Sequence, residues 1–459
     1  MIVFGLIIVF ILGWSLLNRI SDKFSILEKS GLAFLLGIGI ESLFMFLLDI
    51  IGIRFTILNL LIISFLLILL LNLKFIRNAG QIVPKIRGLK FPKLILSKFN
   101  LVWLLFVLLI SVMLYGSVTK SLFWPTSAYD NVAGYDLMGK VMAAEGAIQN
   151  SLFEVNNVPI AGLGNRAKYP PLVASSFAFA YMCGLETSKI MTSMFLLAFV
   201  FFFYGLLKKI TTDTAAIIFT FFVIISPEFF AFTSLSTTNI PTAFYAAGAL
   251  IYLYFYLKEE RIYYLITAAI LMGLTSWARS DSLVFNMTGL LLLVYHFRKN
   301  LLRKELLYYS LLTFLPFLLW LIYSNIYIKL DQDVFINKLF WDSDKFSFIL
   351  SSVKFLIFNT GLYGISFYIF FIAIGLNIRY IKNDSSTILL IIIVLTWIFY
   401  TLLFYQMDPV KMGSSLEHIM EASYKRGMFP FIPLVWYYVA STTFIGKIFD
   451  RIESFITTK

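Results

Sequence analysis

The chain has few of the residues that build disulfide-stapled domains or metal centres. Its 459 residues include 1 cysteine and 2 histidines. The single Cys183 excludes an intrachain disulfide and a cluster of thiolate ligands. The histidines, His296 and His418, fall on opposite sides in the topology derived below, which argues against a zinc site. We therefore expect no metal cofactor, with metal dependence itself left open by the sequence.

Charged residues are also scarce, at 14%, whereas hydrophobic residues reach 60% and the mean hydropathy is +0.87. A typical soluble domain is about 45–50% apolar and about 25% charged. Apolar runs of about 20 residues recur along the chain, and that is the length an α-helix needs to cross a membrane. The runs are continuous rather than alternating, which excludes a transmembrane β-barrel. The sequence predicts an all-α, polytopic transmembrane helical bundle.

The net charge of +12 comes from basic loops and not from a basic soluble domain. Lys and Arg collect in the cytoplasmic loops of membrane proteins, and anionic lipid phosphates attract them. We therefore expect membrane lipid as a partner and no nucleic acid. The first apolar run starts at Ile2 and its positive charges follow it, so we expect an uncleaved first helix.

The strongest topological marker is the stretch from Lys74 to Lys98, which contains many basic residues and no acidic one. Placing this stretch in the cytoplasm gives about 13 helices, with the last one ending inside. The clearest predicted helices lie near residues 2–18, 31–51, 56–73, 100–119, 187–207, 306–328, 361–378, 386–404 and 428–446. Residues 170–184 are too short to span the membrane and are expected either to lie in its interface or to re-enter it, whereas 329–351 and 406–426 are expected as outer loops.

This topology gathers polar residues from distant segments on the extracytoplasmic side. A long first loop after the fourth helix supplies the first of them, and four later turns or loops supply the rest. The set comprises Asp130, Asp136, Lys140, Lys168, Asn239, Arg279, Asp281, Asp331, Asp333, Lys425 and Arg426. Carboxylates placed beside membrane helices are costly unless they are paired or solvated. We therefore predict that these side chains line one functional cavity.

The order of four of these elements resembles the GT-C superfamily of membrane glycosyltransferases, over roughly residues 100–440. The first loop has an aspartate, a short helix containing a lysine, and then Tyr169-Pro-Pro-Leu172. A later turn has Asn239 where many members have an aspartate. Arg279 and Asp281 stand where members often have a lysine and a glutamate, and Tyr424 to Pro433 resembles the arginine-containing entry to a late helix.

The resemblance implies an enzyme that moves a sugar from a polyprenyl-phosphate donor to a glycan, lipid or protein acceptor. It implies interfacial helices in a large first outer loop, a location in the bacterial inner membrane and an active site on the extracytoplasmic side. The chain would then divide into a three-helix N-terminal segment (1–99), a GT-C-like catalytic module (100–446) and a short cytoplasmic tail (447–459). The sugar, the acceptor and the lipid length are not determined by the sequence.

Glycosyl transfer of this kind requires a base for the acceptor hydroxyl and cations for the departing phosphate. Asp130 is the predicted base of a single, inverting displacement; its structural alternative is a helix N-cap. Asp136 either orients substrate or pairs with Lys140 at i, i+4 spacing. The other predicted substrate-binding residues, with snorkelling, solvation or loop shaping as their alternatives, are Lys168, Tyr169, Asn239, Arg279, Asp281, Lys425 and Arg426.

A transporter or flippase for a lipid-linked or polar substrate is the competing hypothesis. Transporters place polar groups near the bilayer midplane, on broken helices. Glu41 and Glu228 are candidates for such groups. Most of the polar residues gather on one side instead, which favours the enzyme, and no motif supports a polysaccharide polymerase or ligase.

Overall fold

The computed structural model describes residues 1–77, 100–127, 131–153, 168–328, 341–382, 384–411 and 413–457, and within them it is helical without β-strands. The longer helices are α1 (Ile2–Ile20), α2 (Ile26–Ile50), α3 (Ile57–Arg77), α4 (Asn100–Phe123), α5 (Asp136–Glu145), α6 (Leu172–Met182), α7 (Lys189–Leu207), α8 (Asp213–Ile224), α9 (Pro227–Phe232), α10 (Asn239–Glu259), α11 (Ile262–Ala278), α12 (Leu283–His296), α13 (Lys304–Tyr323), α14 (Ser343–Ile357), α15 (Ser366–Asn377), α16 (Ser386–Gln406), α17 (Phe431–Ser441) and α18 (Thr443–Thr457).

Short 3₁₀, π and single-turn segments connect several of these helices. They are Asn131–Tyr135, Ser151–Phe153, Ser280–Ser282, Ser324–Ile328, Thr360–Tyr363, Ile378–Tyr380, Leu416–Ile419, Met420–Tyr424 and Lys425–Gly427. Asp130, Asp331 and Asp333 lie outside the residues that the structure describes.

The predicted membrane bundle is confirmed by the length and composition of the helices. Seven helices in the described part of the chain are long and apolar enough to cross a membrane, namely α1, α2, α4, α7, α10, α13 with its extension to Ile328, and α16. Six shorter apolar helices accompany them, α6 among them. The chain is an integral membrane protein, because water-exposed bundles do not carry this many apolar helices of spanning length.

Burial separates the central helices from those at the periphery. The most apolar stretch of α10 is 94% buried, and those of α2 and α7 are each 78% buried. The same measure is only 11% for α4 and 28% for α13, whose exposed faces suit contact with lipid. Although α2 belongs to the N-terminal segment, it packs against α6 and α7 in the centre of the bundle.

Two sequence predictions are corrected at the C-terminal half. The outer loop predicted for 329–351 contains the start of α14, because Asp342 caps that helix by accepting hydrogen bonds from the backbone N–H groups of Asp344 and Lys345. The last predicted helix, 428–446, is two helices instead of one. The backbone is extended at Thr442, which ends α17, and α18 then runs through most of the predicted tail.

Contacts at both ends of the bundle agree with the topology predicted from charge, in which successive helices run in opposite directions across the membrane. At one end, the Glu28 carboxylate at the start of α2 pairs with Lys209 Nζ, 2.7 Å away at the end of α7. Tyr252 donates a hydrogen bond to the same carboxylate at 2.6 Å. At the other end, the Asp49 carboxylate near the end of α2 receives the Tyr323 hydroxyl from the end of α13.

The first loop, residues 124–171, contains a π-helical turn at Asn131–Tyr135 with a kink at Gly134 (φ −128°, ψ −114°). Helix α5 follows and packs closely on α6, since a Cβ at Gly139 would lie 2.7 Å from Cβ of Phe177. Gly146 ends α5 in the left-handed conformation at φ +68°, as glycines commonly do after a helix. Two short helices, α5 and α6, therefore follow α4 and pack against each other.

Candidate active site

A polar pocket opens where α10, α11, α12 and α16 meet the turn before α17. The cavity itself is small, with a volume of about 10 Å³, and the space free of protein atoms is about 240 Å³ when the solvent at its open mouth is included. Its lining residues are Asn239, Thr242, Arg279, Asp281, Ser282, Phe285, Tyr400, Arg426, Gly427 and Pro430. Four of the residues predicted to converge are among them, although they come from three segments that are far apart in the sequence.

Arg279 is the centre of this pocket. Its guanidinium makes a two-pronged contact with Asp281, with Nε 2.9 Å from Oδ1 and Nη2 2.5 Å from Oδ2. Nη1 donates a third hydrogen bond to Oδ1 of Asn239. Because Asn239 is neutral where an aspartate would carry a charge, the pocket's formal charge from Arg279, Asp281 and Arg426 is positive.

The local backbone explains how Arg279 comes to point into the pocket. Helix α11 ends at Ala278, and Arg279 adopts an extended conformation (φ −153°, ψ 134°) before the 3₁₀ turn Ser280–Ser282. This break turns a side chain that is only 8% exposed away from the helix axis. Burial alone would lower the pKa of Arg279, but the adjacent Asp281 carboxylate raises it well above its ordinary value, so the charge is kept.

A stack of side chains connects the first loop to this pocket. The Arg279 guanidinium carbon lies 5.3 Å from the centroid of the Tyr169 ring. Tyr169 in turn stacks on Tyr135, with centroids 6.1 Å apart and planes at 23°. The carbonyl of Lys168 accepts a hydrogen bond from Trp320 Nε1 at 3.1 Å, which fixes the approach of this segment. The predicted substrate-binding Tyr169 therefore contacts the pocket's arginine.

Asp136 and Lys140 do not form the predicted i, i+4 pair among the described contacts. The Asp136 carboxylate is buried and accepts hydrogen bonds from the hydroxyls of Tyr181 and Ser188, both at 2.5 Å. Lys140 Nζ lies over the Tyr181 ring, 5.5 Å from its centroid. Hydroxyl donors from α6 and the turn after it thus replace the lysine, and Asp136 braces the first loop against the bundle.

The predicted base, Asp130, lies outside the described residues, but its neighbour in sequence is informative. Asn131 is fully buried, and neither its amide oxygen nor its amide nitrogen has a hydrogen-bond partner within the described structure. An unsatisfied buried amide is costly, at about 1–3 kcal/mol. Such groups are uncommon in folded proteins, and strain, a catalytic role, or a bound water or ion commonly accounts for them.

The two late basic residues have different surroundings. Lys425 Nζ lies 2.6 Å from Oε1 of Glu228, in α9, and its charge is already compensated there. Glu228 is therefore part of an ion pair and not an isolated intramembrane carboxylate. Arg426 lines the pocket beside Arg279, and its Nε donates to the Ala422 carbonyl at 2.5 Å.

Sequence reasoning missed two hydroxyl groups in the pocket. Thr242 Oγ1 and Tyr400 Oη are buried, line the pocket and have no hydrogen-bond partner in the described residues. Thr242 follows Asn239 at i, i+3 spacing, so the two share one face of α10, and that signal was available in the sequence. Tyr400 lies inside the apolar run of α16 and reads as an ordinary core residue.

Two arginines and two unpartnered hydroxyls give this pocket a donor set suited to an anion with several acceptor oxygens. Guanidinium groups suit phosphate because their fork of N–H donors matches its oxygens. Hydroxyl donors would be satisfied by the same oxygens. Among the described residues, no group of three or more His, Cys, Asp or Glu side chains is placed to hold a metal ion.

The fold and the site define an integral membrane protein with a buried cationic pocket at one end of a helical bundle. Residues 169–323 match the family described as dolichyl-phosphate-mannose-protein mannosyltransferase. This match confirms the resemblance to the GT-C superfamily, and the matched segment includes Tyr169, Asn239, Arg279 and Asp281. No curated protein and no solved structure matches the chain significantly.

Proposed function

We propose that the protein is a membrane glycosyltransferase that moves a sugar from a polyprenyl-phosphate donor to an acceptor hydroxyl. The observation that carries the proposal is the pocket in which Arg279 and Arg426 lie with the unpartnered hydroxyls of Thr242 and Tyr400. In this assignment the donor's phosphate occupies the pocket. The acceptor is a hydroxyl of a glycan, lipid or protein.

The reaction is a single displacement at the anomeric carbon. Asp130 takes the proton of the acceptor hydroxyl as its oxygen bonds to C1 of the sugar. The bond between C1 and the phosphate oxygen breaks, and its electron pair leaves with the polyprenyl phosphate. Arg279 and Arg426 stabilise the negative charge that develops on the phosphate. One displacement with one base inverts the anomeric configuration.

An apolar groove beside the pocket supports a lipid-linked donor. It lies between α14 and α16 and has a volume of about 310 Å³. Its lining residues are Phe346, Leu350, Val353, Val394, Trp397, Ile398, Thr401 and Leu402. Tyr400 lines the pocket, and Thr401 and Leu402, the next residues of α16, line the groove. The groove and the pocket therefore lie at the same level along α16, on different faces of that helix.

The position of the site also favours transfer over transport. The pocket lies at the ends of α11 and α12, whereas transporter sites are commonly built near the midplane on discontinuous helices. Glu41, in the middle of α2, accepts a hydrogen bond from Ser64 and is buried away from the pocket lining. We propose that the reaction takes place on the extracytoplasmic face, because the basic stretch before α4 marks the cytoplasmic side. The family resemblance is the ground for proposing a bacterial inner membrane.

The test uses purified full-length protein in liposomes that contain a radiolabelled polyprenyl-phosphate sugar. We expect loss of the sugar from the lipid, release of polyprenyl phosphate and label in an added acceptor fraction. Intact labelled donor that crosses to the opposite leaflet without cleavage would instead support the transporter or flippase.

Replacing Gly427 by alanine is expected to impair donor use by displacing Tyr400. A Cβ at position 427 would lie 1.4 Å from the Tyr400 hydroxyl oxygen, and the ring is too buried to move freely. Overpacking of this kind costs about 1–3 kcal/mol. We expect the apparent KM for the donor to rise about tenfold, as a lost phosphate hydrogen bond would produce. Transfer kinetics and thermal unfolding measure the two effects separately.

Gly289 offers a matched control for that substitution. A Cβ there would lie 1.9 Å from the hydroxyl oxygen of Tyr309, another buried tyrosine, and neither residue lines the pocket. Gly289→Ala should lower the unfolding temperature without raising the donor KM of the folded protein. Equal changes in donor KM for the two variants would contradict a role for Tyr400 in the site.

A further inference from the structure

The N-terminal three helices lie outside the segment matched by the family, yet one of their residues reaches the first loop. Asp49 is in the last turn of α2. Its Oδ1 accepts the backbone N–H of Ile148 at 2.9 Å, and its Oδ2 is 3.4 Å from the backbone nitrogen of Gln149. Oδ2 also accepts the hydroxyl of Tyr323, at the end of α13. One carboxylate thus joins three elements.

Helix stability does not explain a carboxylate at this position. The C-terminal turn of a helix carries partial negative charge, so an aspartate there is unfavourable by about 0.3–1 kcal/mol. The last turn of α2 contains no basic residue that would offset it. The three hydrogen bonds that Asp49 accepts are therefore the reason for its presence in the fold.

The partners of Asp49 connect it to two parts of the site. Ile148 and Gln149 connect it to α5, and Tyr323 connects it to the segment that carries Tyr169. Ile148 and Gln149 directly follow α5, and the Phe55 amide holds the same turn by donating to the Gly146 carbonyl at 2.8 Å. Tyr135 and Asp136 lie at the other end of α5. The Asp49 carboxylate therefore sets where the beginning of the first loop lies.

A second series of contacts connects Asp49 to the pocket through Tyr323. Tyr323 stacks on Trp320, with centroids 5.7 Å apart, and Trp320 donates its hydrogen bond to the Lys168 carbonyl. The next residue is Tyr169, whose ring lies against Arg279. The end of the first loop is therefore fixed relative to the same carboxylate as its beginning.

Helix α2 also braces α11 directly below Arg279. Ser42 accepts a hydrogen bond from Trp277 Nε1 at 3.0 Å. The Phe46 ring packs edge-to-face on Trp277 at 4.9 Å and on Tyr323 at 5.1 Å. These contacts give α2 the rigidity that a fixed anchor for Asp49 needs.

We propose that Asp49 is a positioning residue that clamps the first loop against the Arg279 pocket, so that the N-terminal segment completes the active site. The proposal rests on the proposed function for its catalytic meaning, because the loop carries the base and the pocket holds the phosphate. Asp49 itself contacts no reacting atom. Misplacing a reacting group by about 1 Å costs roughly 100-fold in rate.

The test compares Asp49→Ala with Asp49→Asn in the full-length protein, in nanodiscs. Alanine removes all three contacts, whereas asparagine keeps an oxygen for Ile148 and an N–H that can donate to the Tyr323 hydroxyl oxygen. We expect Asp49→Ala to lower kcat by about tenfold to 100-fold. Its donor KM should change by less than about threefold, because the pocket is intact. Asp49→Asn should recover most of the wild-type kcat.

Hydrogen exchange supplies a readout that does not depend on the chemistry. Asp49→Ala should speed amide exchange in residues 146–153 at least tenfold, since the buried Ile148 amide loses its acceptor. Glu28→Gln is the matched control, because it alters a carboxylate at the opposite end of the same helix. It should leave both the exchange of residues 146–153 and kcat at wild-type values.

Failure of the Asp49 proposal and failure of the proposed function would give different results. Wild-type exchange in residues 146–153 of Asp49→Ala, or faster exchange with wild-type kcat, would overturn the clamp. Absence of sugar transfer by the wild-type protein would refute the proposed function, and it would leave the exchange experiment to decide whether Asp49 holds the loop.

Discussion

Sugar transfer should fall by about 100-fold to 1000-fold when Arg279 and Asp281 are replaced together by glutamine and asparagine. Removing one preorganised donor to a developing oxyanion typically has an effect of this size. The double change keeps the shape of the Asp281 side chain and leaves a shorter, polar amide at position 279, while the charge that faces the phosphate is lost. Steady-state kinetics with a defined polyprenyl-phosphate sugar measure the effect.

The double substitution is preferable to Arg279→Ala for a structural reason. Arg279 and Asp281 form a nearly buried ion pair, with side chains 10% and 15% exposed. Removing only the arginine would leave Asp281 as an uncompensated charge, which costs about 3–5 kcal/mol and would confuse misfolding with loss of binding. Arg279→Lys is informative beside it, since an ammonium keeps the charge but cannot form the two-pronged contact with Asp281.

The control for this experiment is the ion pair at the other end of the bundle. Replacing Glu28 and Lys209 together by glutamine neutralises a partly buried pair of the same kind, far along the helices from the pocket. Similar losses of transfer in the two double variants would show that Arg279 acts through stability and not through the phosphate.

Much of the site was predictable from the side of the membrane on which each loop falls. Charge counting placed Asn239, Arg279, Asp281 and Arg426 together, and the structure brings all four into one pocket. Charge counting assigns each loop to a side of the membrane, but it does not show which side chains contact each other. It could not show that Lys425 is compensated by Glu228, because that pairing depends on how α9 packs in three dimensions.

The predictions that failed did so where tertiary contacts outweigh local spacing. Asp136 and Lys140 have helical i, i+4 spacing, worth only about 0.2–0.5 kcal/mol on an exposed helix. Tyr181 and Ser188 instead donate two hydrogen bonds to the carboxylate, the one from Ser188 buried and the one from Tyr181 partly buried. Tyr400 was not predicted as a pocket residue because it lies inside an apolar run. Its hydroxyl can be assigned to the pocket only from the three-dimensional structure.

The central place of α2 was also beyond the sequence. The family resemblance covered residues from about 100 onwards, so the first three helices read as an addition to the module. Helix α2 is nevertheless among the most buried helices, and Ser42 and Phe46 contact the tryptophan two residues before Arg279. Apolar helices look alike in sequence whether they face lipid or protein, so only packing separates them.

Replacing Asp130 by asparagine is expected to reduce transfer by about 100-fold to 10,000-fold, the usual contribution of a general base. The asparagine keeps the size of the side chain but cannot take the proton of the acceptor hydroxyl. The acidic limb of the kcat/KM profile against pH should disappear with the activity, because that limb reports protonation of the base. Binding of the donor should persist, since the cations of the pocket are unchanged.

Asp136→Asn separates catalysis from support of the loop. Both aspartates belong to the first loop, but the Asp136 carboxylate is occupied by the hydroxyls of Tyr181 and Ser188. An asparagine there can still accept one of these hydrogen bonds, so we expect a lower unfolding temperature with a kcat/KM reduced less than about tenfold. If Asp136→Asn abolished transfer and Asp130→Asn did not, the base would be Asp136. The buried, unpartnered amide of Asn131 would then lie beside a residue without a catalytic role.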